Sequence, residues 1–219
     1  MRKIIGGLLV ILEGGEGVGK TTQAKKLVEY YNSAGYNAKY FREPGGTKLA
    51  EDIRNMILYN EMDTITETFL MSAARNINIE NNILPELRSG NIVVLDRFVK
   101  STYVYQGKLN NGNKTLIKTC VDIAIEKIMS CSGKYPVEIT LLCDPEVAIE
   151  RAASDGHERN KYDVMCIDKY RTINDAYKDL FKDTDYAISD MLDTTNISED
   201  EVFKYLVSKI NRCITDTEY

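Results

Sequence analysis

The sequence predicts an α/β fold of three layers, a five-stranded parallel sheet with helices on both faces. Apolar runs of strand length alternate with amphipathic stretches of helix length along the chain, which is the pattern of successive βαβ units. The first apolar run, GGLLVILE, also opens directly into a glycine-rich turn and then a helix-forming segment, as the first strand of such a sheet does. With 219 residues, 43% of them hydrophobic, and only four prolines, the chain suits a single domain spanning 1–219.

Taken in order, the first strand covers Gly7–Glu13, and the helix after it runs over Thr21–Ala34 to a stop at Gly35. A second strand at Ala38–Phe41 precedes a helix at Lys48–Tyr59. A long helix at Glu67–Arg88 then ends near Gly90, ahead of the third strand, Asn91–Leu95. Helix Lys114–Met129 leads to strand Val137–Leu142, and helices Pro145–Ala153 and Val164–Asp183 lead to a last strand at Tyr186–Leu192. The closing helix, Glu199–Arg212, starts at Ser198-Glu199-Asp200-Glu201, a capping box in which serine and glutamate each satisfy a free backbone donor. Two stretches are polar and irregular. Gly107–Asn113 reads as a surface loop, whereas Ser154–Asp163 lies between two helices and carries clustered charge.

A formal net charge of −5 argues against nucleic acid or a membrane surface as partner, because both are polyanions that need a cationic footprint. The five cysteines, Cys120, Cys131, Cys143, Cys166 and Cys213, are odd in number and never paired as CxxC. They suggest neither a zinc site nor a disulfide framework, and place the protein in a reducing, cytoplasmic compartment (host cytoplasm if the gene is viral). Met1-Arg2-Lys3 and the short apolar run after it imitate a signal peptide faintly, but no small-residue cleavage site follows. Nowhere do the roughly 18 consecutive apolar residues of a membrane span occur.

Chemistry begins at LEGGEGVGKTTQ. Gly14-x-x-x-x-Gly19-Lys20-Thr21 fits the Walker A pattern between a strand and a helix. Its glycines permit the positive φ angles that aim backbone N–H groups inward, and the helix N-terminus adds partial positive charge. Gly14, Gly15, Gly17, Val18, Gly19, Lys20, Thr21 and Thr22 are therefore expected to bind ATP, with Lys20 on the β- and γ-phosphates and Thr21 on Mg²⁺. The Asn-Lys-x-Asp of a GTPase is missing, and the strand VVLD ends in Asp96-Arg97, not in the Asp-Glu of motor ATPases. An arginine there suits a second anion, so a kinase with a small phosphorylated acceptor is indicated. Phe41-Arg42-Glu43-Pro44-Gly45-Gly46-Thr47, Asp96-Arg97-Phe98 and Tyr105-Gln106 all follow strands at the carboxyl edge of the sheet, where ligands bind in open α/β folds. A carboxylate such as Asp96 holds Mg²⁺ or its water there, an arginine grips phosphate bidentately, and Tyr105 and Gln106 are placed to contact sugar and base.

These segments resemble the thymidylate kinase family. LEGGEGVGKTTQ, REPGGT with LAEDIR, SAARNINIENNILPEL, DRFVKSTYVYQG and CDPEVAIERA occur in its order, and REPGGT together with DRFxxSxxxYQ is the specific part. The resemblance implies phosphoryl transfer from ATP to dTMP on a P-loop nucleoside monophosphate kinase fold with a mobile lid, about residues 151–163. Arg97 is then expected to hold the dTMP phosphate with Arg54 as a secondary contact, and Asp96 to organise Mg²⁺. The same likeness puts Arg75 on thymine O4, Thr102 near N3, Phe41 on or beside the base, Tyr105 against the deoxyribose and Glu16 on the sugar 3′-hydroxyl or the Mg²⁺ water shell. Taken without the resemblance, Arg54 and Arg75 read as solvated helix arginines, and Phe41 and Tyr105 as core aromatics. Ala74 and Ile77-Asn78 depart from the family pattern, which keeps open a broader deoxynucleoside monophosphate kinase. A non-catalytic nucleotide-binding protein is a further alternative.

Members of the family with an arginine inside the phosphate loop carry it where this chain has Gly17. The others keep basic residues in the lid, and Arg159 is expected to close over the transferred phosphoryl, with Arg151 nearer the ATP end and Lys161 as the alternative to Arg159. His157 reads as a solvated lid residue. The resemblance also implies a homodimer packed through helices.

Overall fold

A strand covered by helices on both sides must be apolar on both faces, and β1 (Leu8–Glu13) is buried at all six positions. The computed structural model describes residues 1–154, 162, 166–181 and 185–215. Among these, β1 is the centre of a five-stranded parallel sheet in the order β2-β3-β1-β4-β5. The other strands are β2 (Ala38–Arg42), β3 (Ile92–Asp96), β4 (Val137–Leu142) and β5 (Ile188–Asp193). The helices are α1 (Lys20–Ser33), α2 (Lys48–Tyr59), α3 (Thr64–Asn78), α4 (Leu84–Arg88), α5 (Val99–Thr102), α6 (Lys114–Ser132), α7 (Pro145–Ser154), α8 (Ile167–Phe181) and α9 (Glu199–Thr215).

The two-residue period of β1 sorts its side chains into two cores. Leu8, Val10 and Leu12 pack with Leu27 and Tyr31 of α1 and Leu206 and Ile210 of α9. Leu9 and Ile11 face the opposite way, onto Leu84 and Leu87 of α4 and Ile117 and Val121 of α6. Three layers follow from that alternation, as the sequence predicts.

The strands appear where the apolar runs place them, with shifts at their ends. The expected helix Glu67–Arg88 differs more. It begins earlier, at Thr64, because the Asp63 carboxylate accepts from the backbone N–H of Ile65 and Thr66. A π-helical turn at Ile79–Ile83 then interrupts it before α4. Pro85 lies just beyond and has no N–H for the α-helical ladder, which the wider turn accommodates. No helix was expected between Leu95 and Gly107, yet α5 continues into a second π-helical segment, Tyr103–Leu109. That segment takes up the start of the expected loop Gly107–Asn113, and Asn113 caps α6 through a bond from Leu116 N. The last strand spans Ile188–Asp193, two residues later than Tyr186 suggests. Helix Val164–Asp183 is observed as α8, its expected ends lying outside the described residues. Among the described residues, no helix is long and apolar enough to cross a membrane.

Replacing Ile11 by Ala removes a fully buried side chain from the central strand and is expected to lower stability by about 2–5 kcal/mol. In urea-unfolding curves, Ile5→Ala, at an exposed position, is expected to shift stability by less than about 0.5 kcal/mol.

Candidate active site

Strand register brings the chemistry together. Parallel pairing sets Leu12 opposite Asp96 and Asp96 opposite Arg42, so the loops leaving β1, β2 and β3 converge at the carboxyl edge of the sheet. Gly14, Gly17 and Gly19 take φ values of 138°, 74° and 93°, the region open to glycine. Space is as limiting as φ. A Cβ on Gly17 would lie 2.0 Å from the Ala148 carbonyl oxygen on α7, so no side chain fits at this position.

Lys20, first residue of α1, is buried, and its ammonium turns back to the Gly15 carbonyl. Burial, with the nearby Arg97 charge, pulls its pKa down to about 8, and a phosphate beside it would favour the charged form. The Thr21 hydroxyl donates to Asp96 Oδ2 at 2.6 Å, and Tyr40 OH reaches the same oxygen at 3.4 Å. Two oxygen donors alone suit Mg²⁺, which keeps several waters and takes phosphate oxygens as its other ligands. No cluster of three or more metal-ligating side chains exists among the described residues.

Arg97 follows directly with φ 71°, a conformation that costs a non-glycine residue about 1–3 kcal/mol and persists only where its surroundings over-determine it. Its N–H donates to Leu12 O at 2.9 Å. Nη1 donates to Gly14 O at 2.8 Å and reaches the hydroxyls of Ser101 and Tyr177 at 3.2 and 3.4 Å. Nη2 pairs with Glu16 Oε1 at 2.7 Å, and Glu16 Oε2 accepts from Tyr105 OH at 2.6 Å. The guanidinium lies 5.1 Å from the centre of the Tyr105 ring. Glu16, Arg97 and Tyr105 thus form one unit, as a group the sequence singled out residue by residue.

A cavity of about 620 Å³ joins this unit to the phosphate loop. One end is lined by Thr22, Gln23, Arg151, Thr194 and Ile197, the other by Arg54, Met71, Pro44, Tyr105 and Gln106. Arg151 donates to the carbonyls of Thr194 and Thr195 at 3.2–3.3 Å, tying α7 to the loop after β5. Gln106 Nε2 and Tyr162 OH both bond Glu67 Oε1, at 2.7 and 2.5 Å, and the Tyr162 ring meets Tyr105 edge-on.

Several expected contacts are arranged differently. Phe41 packs against the core cluster of Leu9, Ile11 and Leu95, while Tyr40 and Arg42, its neighbours on β2, line the cavity. Strand alternation is the reason, since a residue between two cavity-facing ones must face away. Arg75 is only 2% exposed, with Nε on Glu43 Oε2 at 2.6 Å and Nη2 on Phe98 O at 3.0 Å. It and the buried Thr102 stand behind the cavity wall, and Arg75 Nη1 and Thr102 Oγ1 have no hydrogen-bond partner. Arg159, Lys161 and His157 lie outside the described residues. Sequence reasoning missed Tyr40, Arg42, Met71 and Tyr162; alternation in β2 would have indicated the first two, whereas Met71 and Tyr162 needed the tertiary arrangement.

A strand, Walker A loop and helix beneath a cavity that Arg97 also lines define a P-loop phosphotransferase. The family profile described as thymidylate kinase matches residues 12–202. Relatives named thymidylate kinase include that of Shouchella clausii, 34% identical over 97% of this chain and 98% of its own. That of Rickettsia bellii is 36% identical, covering 83% of this chain and 85% of its own. A solved structure of thymidylate kinase from Ehrlichia chaffeensis superposes with a TM-score of 0.70 at 28% identity, covering 94% of this chain and 99% of that one. The chain belongs to the thymidylate kinase family.

Because Gly17 has both a left-handed φ and the Ala148 carbonyl against it, Gly17→Ala is expected to weaken ATP binding by about tenfold or more, from roughly 1–3 kcal/mol of strain. Isothermal titration of ATP into the folded variant measures this, with circular dichroism as the check on folding.

Proposed function

We propose that the protein transfers the γ-phosphoryl group of ATP to dTMP, giving ADP and dTDP. The observation that carries this reading is the single cavity shared by the Walker A loop and the Glu16–Arg97–Tyr105 unit. Such a cavity seats a donor and a phosphorylated acceptor end to end. Membership of the family and the names of its relatives favour dTMP over the broader deoxynucleoside monophosphate alternative.

In-line phosphoryl transfer needs alignment and charge neutralisation more than covalent help. Amides of residues 14–22 and the Lys20 ammonium hold the ATP phosphates at the N-terminus of α1. Thr21 and Asp96 would hold Mg²⁺, which would supply neutralisation of phosphate charge when bound. Arg97 grips the acceptor phosphate, with Arg54 second. Its salt bridge to Glu16 keeps the guanidinium extended into the cavity, and the same carboxylate, hydrogen-bonded to Tyr105, meets the sugar. Met71, Ile57, Leu58 and Pro44 give the acceptor end an apolar wall for a base. Arg75 Nη1 and Thr102 Oγ1, behind that wall, and Gln106 Oε1, in the lining itself, are buried polar atoms without partners, and they supply base recognition once the pocket fills. Arg151 borders the ATP end, and Arg159 or Lys161 closes over the transferred phosphoryl.

A homodimer is supported by exposed apolar side chains on α2 and α3, among them Leu49, Met56, Ile65 and Phe69, and by Ile123 on α6. Five cysteines, odd in number and never paired as CxxC, support a reducing, cytoplasmic location.

In a coupled ADP-release assay at fixed ATP, dTMP is expected to be turned over well ahead of dUMP, dGMP and dCMP. Equal turnover of all four would overturn the dTMP assignment. Arg159→Ala is expected to lower kcat by about 10³-fold, the scale of an arginine at the transferred phosphoryl, with dTMP and ATP affinities unchanged. Should Lys161→Ala show that loss instead, Lys161 takes the role.

A further inference from the structure

Glu13 ends β1 with no solvent exposure and lies outside the cavity lining, yet its carboxylate receives four hydrogen bonds. Oε1 accepts from Phe98 N at 2.8 Å and Ser101 N at 3.1 Å. Oε2 accepts from Ser101 Oγ at 2.7 Å and Tyr177 OH at 3.0 Å. Phe98 is the residue after Arg97, so the first of these bonds fixes the far side of the left-handed turn whose near side is fixed by Arg97 N on Leu12 O. The two bonds to Oε2 act on the Arg97 side chain. Both hydroxyls on Oε2 contact Arg97 Nη1, and they lie 3.0 Å from each other because they converge on one oxygen. Burial holds the Tyr177 phenol well above its ordinary pKa, so it keeps its proton. A carboxylate in acceptor-only form draws hydroxyl protons to itself, which leaves the hydroxyl lone pairs for the guanidinium.

We propose that Glu13, acting through Ser101 and Tyr177, is a positioning residue for Arg97 that sets both its left-handed backbone and the direction of its guanidinium. The proposal rests on the reading that Arg97 holds the acceptor phosphate. Tyr177 belongs to α8, while Glu13 and Arg97 belong to the sheet edge. The clamp therefore makes the aim of the acceptor-binding arginine depend on how α8 is seated on the sheet. Glu13 itself touches neither substrate, so its removal reaches the acceptor only through Arg97.

The test is a set of double-mutant cycles on the full chain, measuring kcat and the KM values for dTMP and ATP. Tyr177→Phe removes one hydroxyl and leaves the backbone bonds to Glu13 intact. It is expected to raise the dTMP KM about five- to tenfold with the ATP KM unchanged, and Glu13→Gln, which replaces an acceptor by a donor, is expected to do more. Arg97→Ala alone is expected to raise the dTMP KM about a hundredfold or more. In that background Tyr177→Phe is expected to have no further effect, because coupled residues are non-additive. A dTMP KM unchanged by Tyr177→Phe, or raised equally with and without Arg97, overturns the clamp. An Arg97→Ala variant with an ordinary dTMP KM overturns instead the role assigned to Arg97. If Glu13→Gln does not fold, the Tyr177 cycle still decides.

Discussion

The parallel register between β1 and β3 is the constraint on which the rest of this molecule depends. With Leu12 opposite Asp96, the residues just beyond each strand end, Gly14 and Arg97, lie within one hydrogen bond of each other. A slip of one residue would turn one strand over relative to the other, sending either Leu9 and Ile11 to the wrong core or Asp96 away from Thr21. The same apolar burial that stabilises the sheet therefore sets the distance between the phosphate loop and the arginine across from it. Stability and site geometry are consequences of one pairing.

Charge at this edge is arranged by partners more than by number. Arg97 meets Glu16, Arg75 meets Glu43, and Lys100 meets Glu138, each pair at 2.5–2.7 Å and mostly or wholly removed from water. Buried pairs of this kind add little net stability compared with apolar packing, and they cost heavily when one partner is lost. What they supply is direction. Burial pushes the Glu43 carboxyl up even beside Arg75, which marks how dry that second layer is. The Glu16–Arg97 pair retains some exposure and lines the cavity. A net charge of −5 is no obstacle to binding two anions, since the cations are concentrated where the loops converge.

Gly17 links the phosphate loop to the segment that follows β4. Its Cα lies against the Ala148 carbonyl of α7, and Arg151, one turn along that helix, reaches the loop after β5. The absence of a side chain at position 17 is thus a packing requirement.

The sequence by itself determined the sheet, the phosphate loop and the family. These rest on local signals: apolar runs of strand length, glycines where φ must be positive, and Lys20-Thr21 at a helix start. It also brought out Glu16, Asp96, Arg97 and Tyr105, because each lies in a motif that follows a strand. Tertiary structure decided what depends on pairing between distant segments. Which face of β2 looks into the cavity, and so why Tyr40 and Arg42 line it and Phe41 does not, follows from register. The burial of Arg75 behind Glu43 and the convergence of Glu13, Ser101 and Tyr177 beneath Arg97 join residues up to 164 positions apart. The π-helical turns near Pro85 and at Tyr103–Leu109 escaped the periodicity because neighbouring helices and the sheet hold them. Short-range patterns record what the backbone can do locally; the aim of a side chain is set by neighbours that only folding supplies.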